Sequence, residues 1–176
     1  DLRQKYGDAR RTHIGEEESA EFTAEDLIPA EDVLVLLTQH GYVRRVGARS
    51  YRARGQGTKG AAQNEDDPVL HLFAANSMDS ALYFTDRGRV LQEKVHQVPD
   101  ENRQPRGVPL GNLIGLDNGE KVIGAVAVAD YERPGDPVLV TAQGRIKRLQ
   151  MGELATTRTS GMIAISLDKG DTLRAV

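Results

Sequence analysis

Residues 51–60 read Tyr-Arg-Ala-Arg-Gly-Gln-Gly-Thr-Lys-Gly, with three glycines set among three cations and no acid. Within them Gly55-Gln-Gly-Thr-Lys-Gly60 has the G-x-G-x-x-G spacing with which backbone N–H groups cradle a dinucleotide pyrophosphate. That chemistry needs an apolar strand before the loop and a helix after it. The flanks, residues 49–54 and 61–68, supply neither. A nucleotide P-loop fails too, because Lys59 is followed by glycine rather than Ser or Thr. What remains is a basic loop in which Gly57 and Gly60 let backbone N–H groups approach a phosphate while Arg52, Arg54 and Lys59 neutralise it. The loop lies in a longer run, 33–64, that carries six Lys/Arg and no Asp or Glu in a chain of net charge −3. Positive charge collected in one place on an acidic body points to a polyanion.

Other chemistry is sparse. His13, His40, His71 and His96 are scattered, without the spacing of a metal site, and read as hydrogen-bonded or surface histidines. Asp66-Asp67 ahead of Pro68 reads as a solvated turn, and Tyr42 as a residue packed on its own sheet. There is no G-x-S-x-G elbow, and no catalytic residue, cofactor or metal is expected. The absence of cysteine excludes disulfides and thiol catalysis and fits a reducing cytoplasm. Aromatics are 5% with no Trp, too few for a base-stacking platform. No apolar run approaches the roughly 18 residues of a membrane helix, so no membrane partner is expected. A start at Asp1 without Met and an end on a strand-like segment suggest a piece of a larger protein.

The elements that would position the basic residues form an internal repeat. Residues 33–46, 81–95 and 138–149 each hold an apolar strand, a polar turn with one glycine (Gly41, Gly88, Gly144) and a second strand mixing apolar and basic residues. This is a β-hairpin with glycine at the turn. Each hairpin glycine is followed 17 to 19 residues later by another, Gly60, Gly107 and Gly161, and then by an apolar strand at 69–75, 122–128 and 173–176. Short strands recurring every 50 residues or so predict an all-β, propeller-like fold of about three four-stranded blades, an open or truncated part of a larger disc. The expected units are a connector and end of an upstream helix (1–26), a first blade (27–75) carrying the loop 51–60, a second (76–128) and a third with the start of the next strand (129–176). Basic residues recur on the second hairpin strand: Arg44 and Arg45, Arg89 and Lys94, then Arg145, Lys147 and Arg148. With Arg49 and Arg106 they would paint a positive rim suited to phosphates rather than to base edges.

Gly7-Asp-x-Arg-Arg-Thr12, Glu25-Asp-Leu-Ile28, Gly41-Tyr-Val43 and Gly88-Arg-Val90, in this order, resemble the C-terminal domain of the DNA gyrase A protein over essentially the whole chain. The resemblance implies a β-pinwheel that bends or wraps duplex DNA around a basic rim. Its parent type II topoisomerase would thereby introduce negative supercoils, with cleavage, ATP and Mg handled by other domains. The implied partners are duplex DNA, the remainder of the gyrase A protein and the ATPase-bearing gyrase B protein, in the cytoplasm at the nucleoid. The family's wrapping signature, Gln-Arg-Arg-Gly-Gly-Lys-Gly, aligns with residues 54–60. Gly57, Lys59 and Gly60 match; Arg54, Gly55, Gln56 and Thr58 depart from it. A box this degenerate also resembles the equivalent domain of topoisomerase IV, which steers DNA for relaxation and decatenation. A protein-interaction propeller is the remaining alternative.

Overall fold

The computed structural model describes residues 5–6, 27–49, 66–100 and 106–176. The glycine-rich loop 51–60 lies outside them, as does most of the expected connector, of which only Lys5 and Tyr6 are described, both helical.

All three expected hairpins form. β1 (Asp32–Thr38) pairs with β2 (Tyr42–Gly47), β4 (Ser80–Thr85) with β5 (Arg89–Lys94), and β8 (Val138–Thr141) with β9 (Ile146–Arg148), each antiparallel. The apolar strand that follows each repeat returns to the first hairpin strand. β3 (Val69–Asn76) lies on β1, β7 (Val122–Val128) on β4 and β11 (Leu173–Ala175) on β8. The fourth strand of a sheet comes from the next repeat. Two-residue strands β6 (Val108–Pro109) and β10 (Met162–Ile163) pair with β2 and β5. The sheets therefore run β3-β1-β2-β6, β10-β5-β4-β7 and β11-β8-β9 among the described residues.

Burial explains why these strands read as continuous apolar runs. β4 is buried along its whole length. Successive side chains of a strand point to opposite faces. Ala81 and Tyr83 accordingly join the cluster of Val33, Val35 and Leu37 from the first sheet. Leu82 and Phe84 join Leu139, Leu154 and Leu173 on the third-repeat side. The second sheet is thus clamped between its neighbours, the face-to-face packing of propeller blades. β3 touches β7, and β7 touches β11. That edge of every sheet faces the centre, and β6 and β10 lie on the outer edge.

Candidate nucleic-acid interface

The outer edge is built on one device used three times. A buried Thr ends the first hairpin strand (Thr38, Thr85, Thr141). Its carbonyl accepts the N–H of the hairpin glycine three residues on, at 3.0–3.1 Å. Its hydroxyl accepts the next N–H, from Tyr42, Arg89 or Arg145, at 3.1–3.3 Å. An acid two residues before β3, β7 or β11 then locks the turn. Asp67 Oδ1 accepts the His40 N–H (2.9 Å), Glu120 Oε1 the Thr85 hydroxyl (2.6 Å), and Asp171 Oδ1 the Gln143 N–H (3.0 Å). Asp67 is consequently no solvated turn residue: its side chain is 12% exposed and sits 3.3 Å from the His40 ring. Turn formation here withdraws the carboxylate from water in exchange for a backbone donor. For Asp171, burial pushes the carboxyl up, yet donors from Thr141, Gln143 and Thr172 and the Arg145 charge together hold it below the usual range. Sequence patterning missed these acids, although a Thr-x-x-Gly turn with an acid two residues before the return strand recurs in all three repeats.

The cations predicted on the hairpins are largely occupied within the protein. The Arg89 guanidinium donates to Glu120 Oε2 (2.8 Å), Gly115 O (3.2 Å) and Ser160 O (2.8 Å), and lies 3.0 Å from Asp117. One side chain thereby ties the second hairpin to the loop 115–120 and to the segment that feeds β10. Arg145 bonds Ser166 O and Asp168, Lys147 donates to Ala164 O at 2.7 Å, and Arg148 is paired with Asp136 at 2.7 Å. The Met151 N–H and the Arg148 guanidinium hold the Asp136 carboxyl below its ordinary range. Arg44 is buried on β2, and Arg45 is half-buried, its N–H donating to Pro99 O.

Arg49, Lys94 and Arg106 differ. Arg49 and Arg106 are exposed and Lys94 half-buried, and none has an acid or carbonyl on its side chain among the described residues. Arg106 stands directly before Gly107, whose φ of +79° admits the chain to the outer edge. A Cβ there would collide with the Val43 carbonyl oxygen, so glycine is required for the strap to reach β2. Arg52, Arg54, Gly57, Lys59 and Gly60 lie outside the described residues.

Residues 32–76, 79–129 and 138–176, the three repeats, match the family model described as DNA gyrase C-terminal domain, beta-propeller. The chain belongs to this family. It is 36% identical over 179 residues to the DNA gyrase A protein of Halalkalibacterium halodurans, covering 100% of this chain and 21% of that protein. With the DNA gyrase A protein of Salmonella typhimurium the identity is 38% over 178 residues, covering 99% and 20%. This gyrase C-terminal domain thus spans about a fifth of those relatives. Among solved structures it resembles the C-terminal domain of DNA topoisomerase IV, with TM-score 0.71 and 30% identity over 84% of this chain and 45% of that one. The DNA gyrase A C-terminal domain shares the fold, with TM-score 0.63 and 21% identity over 81% of this chain and 46% of that one. The described residues contain no helix long and apolar enough to cross a membrane and no cluster of His, Cys, Asp or Glu suited to a metal.

Proposed function

We propose that this chain is the non-catalytic DNA-bending part of an ATP-dependent type II topoisomerase. It would take duplex DNA across the outer edges of its sheets, contacting phosphates, so that the parent enzyme introduces negative supercoils. The observation that carries this reading is the division of the cations. Arg89, Arg145, Lys147 and Arg148 on the hairpin strands are bonded within the protein, while Arg106, on the strap that supplies an outer-edge strand, presents to solvent a guanidinium with no partner among the described residues. Arg49 is likewise exposed, and the sequence adds Arg52, Arg54 and Lys59 shortly after it. The chemistry of cleavage, ATP and Mg belongs to the rest of the gyrase A protein and to an ATPase-bearing gyrase B protein, in the cytoplasm at the nucleoid.

Phosphate neutralisation predicts salt-steep, sequence-tolerant binding. With about six phosphates engaged, log K falls against log salt with a slope near −5. Long duplexes bind more tightly than ones too short to cross two sheet edges. A flat salt dependence, or equal affinity for short and long duplexes, rules the reading out. Ligation of nicked circles in the presence of the chain then reads the sign of the trapped supercoil. The likeness to the topoisomerase IV domain supports a second reading, in which DNA is steered for relaxation and decatenation. In that case bound circles trap little net supercoiling while binding stays salt-steep.

A further inference from the structure

The segment feeding β10 is a tight turn, and its polarity is unusual. The Gly161 N–H donates to Arg158 O at 2.8 Å, closing a four-residue turn with Thr159 and Ser160 at its tip. All three carbonyls of 158–160 face the second sheet. Arg158 O also accepts from Gln92 N (3.3 Å), Thr159 O from Gly115 N (2.8 Å), and Ser160 O from the Arg89 guanidinium (2.8 Å). The N–H groups of Thr159 and Ser160 have no acceptor among the described residues, and Arg158, Thr159 and Ser160 are all exposed. Carbonyls drawn inward leave a tip of outward N–H groups, two hydroxyls and one guanidinium without an acid among the described residues, the donor set that suits an anion. Charge agrees. Beside the tip, Arg87 and Arg89 are set against Asp117 and Glu120, which leaves Arg158 as the surplus.

We propose that Arg158, Thr159 and Ser160 form a phosphate-binding tip on the outer edge of the second sheet, which takes one phosphodiester of the duplex. The proposal rests on the DNA-bending reading above and adds a contact that no basic run marks in the sequence. It also gives Arg89 a positioning role: by holding Ser160 O, its guanidinium fixes the direction of the tip without touching DNA. At the first sheet the corresponding strap is longer. Arg45 N bonds Pro99 O much as Gln92 N bonds Arg158 O, and residues 100–106 intervene before Gly107. Between the bonded carbonyl and the glycine that follows it, the first strap has seven residues and the second has two.

The test uses the whole chain and fluorescent duplex DNA titrated across a salt series. Arg158→Ala should lower affinity about tenfold and make the log–log salt slope shallower by about one, with unchanged thermal unfolding. Thr159→Pro, at the turn position proline favours, deletes an outward N–H and a hydroxyl while leaving the inward carbonyls in place. It should weaken binding severalfold with the slope unchanged. Arg158→Lys should restore the slope. If Arg158→Ala leaves affinity and slope intact while Arg106→Ala reduces both, the tip is refuted and the DNA-bending reading stands. A loss of affinity by Arg158→Ala that follows a lowered unfolding temperature also refutes it. If the unaltered chain shows no salt-steep binding, the reading beneath it fails as well.

Discussion

Arg89 and Arg158 lie side by side on the outer edge of the second sheet, in opposite surroundings. Arg89 has 21% of its side chain exposed and four partners; the Arg158 side chain is exposed and has none among the described residues. Both are cations beside a strand, and a sequence pattern scores them alike. The difference shows that recurrence in a repeat protein has two sources. A residue recurs at one position because each blade must be built the same way, or because each blade presents the same surface. Arg89 and Arg145 belong to the first kind: each follows the hairpin glycine and donates to a carbonyl oxygen seven residues before the return strand, Gly115 O and Ser166 O. Arg158 sits on backbone already fixed by other bonds, and the exposed side chains of Arg106 and Arg158 have no partner among the described residues.

The largest effect that separates the two kinds is on stability. Glu120→Ala removes a fully buried carboxylate side chain, strands the Thr85 hydroxyl and the Asp117 N–H, and takes one of its four partners from the Arg89 guanidinium. Each buried donor left unsatisfied costs about 1–3 kcal/mol. Arg158→Ala, with nothing to break, should stay within about 0.5 kcal/mol. Urea unfolding of the two variants decides this, and equal midpoints would erase the distinction between them.

Glycine substitutions sharpen the same contrast on the backbone. At Gly88 a Cβ would strike the Ile165 carbonyl, because the strap folds over this hairpin and donates two N–H groups to Gly88 O. At Gly144 a Cβ meets nothing within 4 Å. Both have positive φ, +73° and +85°, so alanine carries about 1–2 kcal/mol of left-handed strain at either site. Gly88→Ala should cost appreciably more than Gly144→Ala in unfolding free energy. A similar cost at both would mean that the strap yields at little expense.

On the DNA side the effect is smaller. Arg106→Ala should lower duplex affinity about tenfold, roughly 1.4 kcal/mol, and flatten the salt slope by about one. Arg148→Ala, which gives up a cation already paired with Asp136, should change the slope by less. Equal losses in a filter-binding salt series would return the hairpin cations to the DNA surface.

Much of the fold was legible because strand and turn signals are local. Glycine at 41, 88 and 144 marks a turn whatever surrounds it, and the three apolar return strands were found at their observed positions. The donation of β6 and β10 to the preceding sheet was not legible. A two-residue strand carries no periodicity, and its pairing depends on contacts more than 60 residues apart in sequence. The interface was legible only as a list of charges. Whether a cation is spare depends on acids such as Glu120 and Asp136, which lie 31 and 12 residues from their partners. Arg158 was missed because one arginine among Thr and Ser makes no basic run, and only the inward turn of its carbonyls marks it.

The smallest effect concerns His71, on the packed side of the comparison. It sits on β3 opposite Leu37, its Nε2 buried without a partner among the described residues. Burial lowers its pKa from the ordinary value, and a hydrogen bond to the Val122 backbone raises it by less. The folded state therefore resists protonation more than the unfolded chain does. Above about pH 6.5 both states are neutral at this ring and it contributes no slope. As pH falls below that value the unfolded chain takes up the proton first, and stability declines until the folded pKa is passed. His71→Gln should remove this component of the slope below about pH 6.5 in urea titrations. Because His71 lies near the seam of the first two sheets, through β7, the slope should persist when Arg158 and Arg106 are replaced. A slope that vanished with the strap cations would place the titrating group on the outer edge instead.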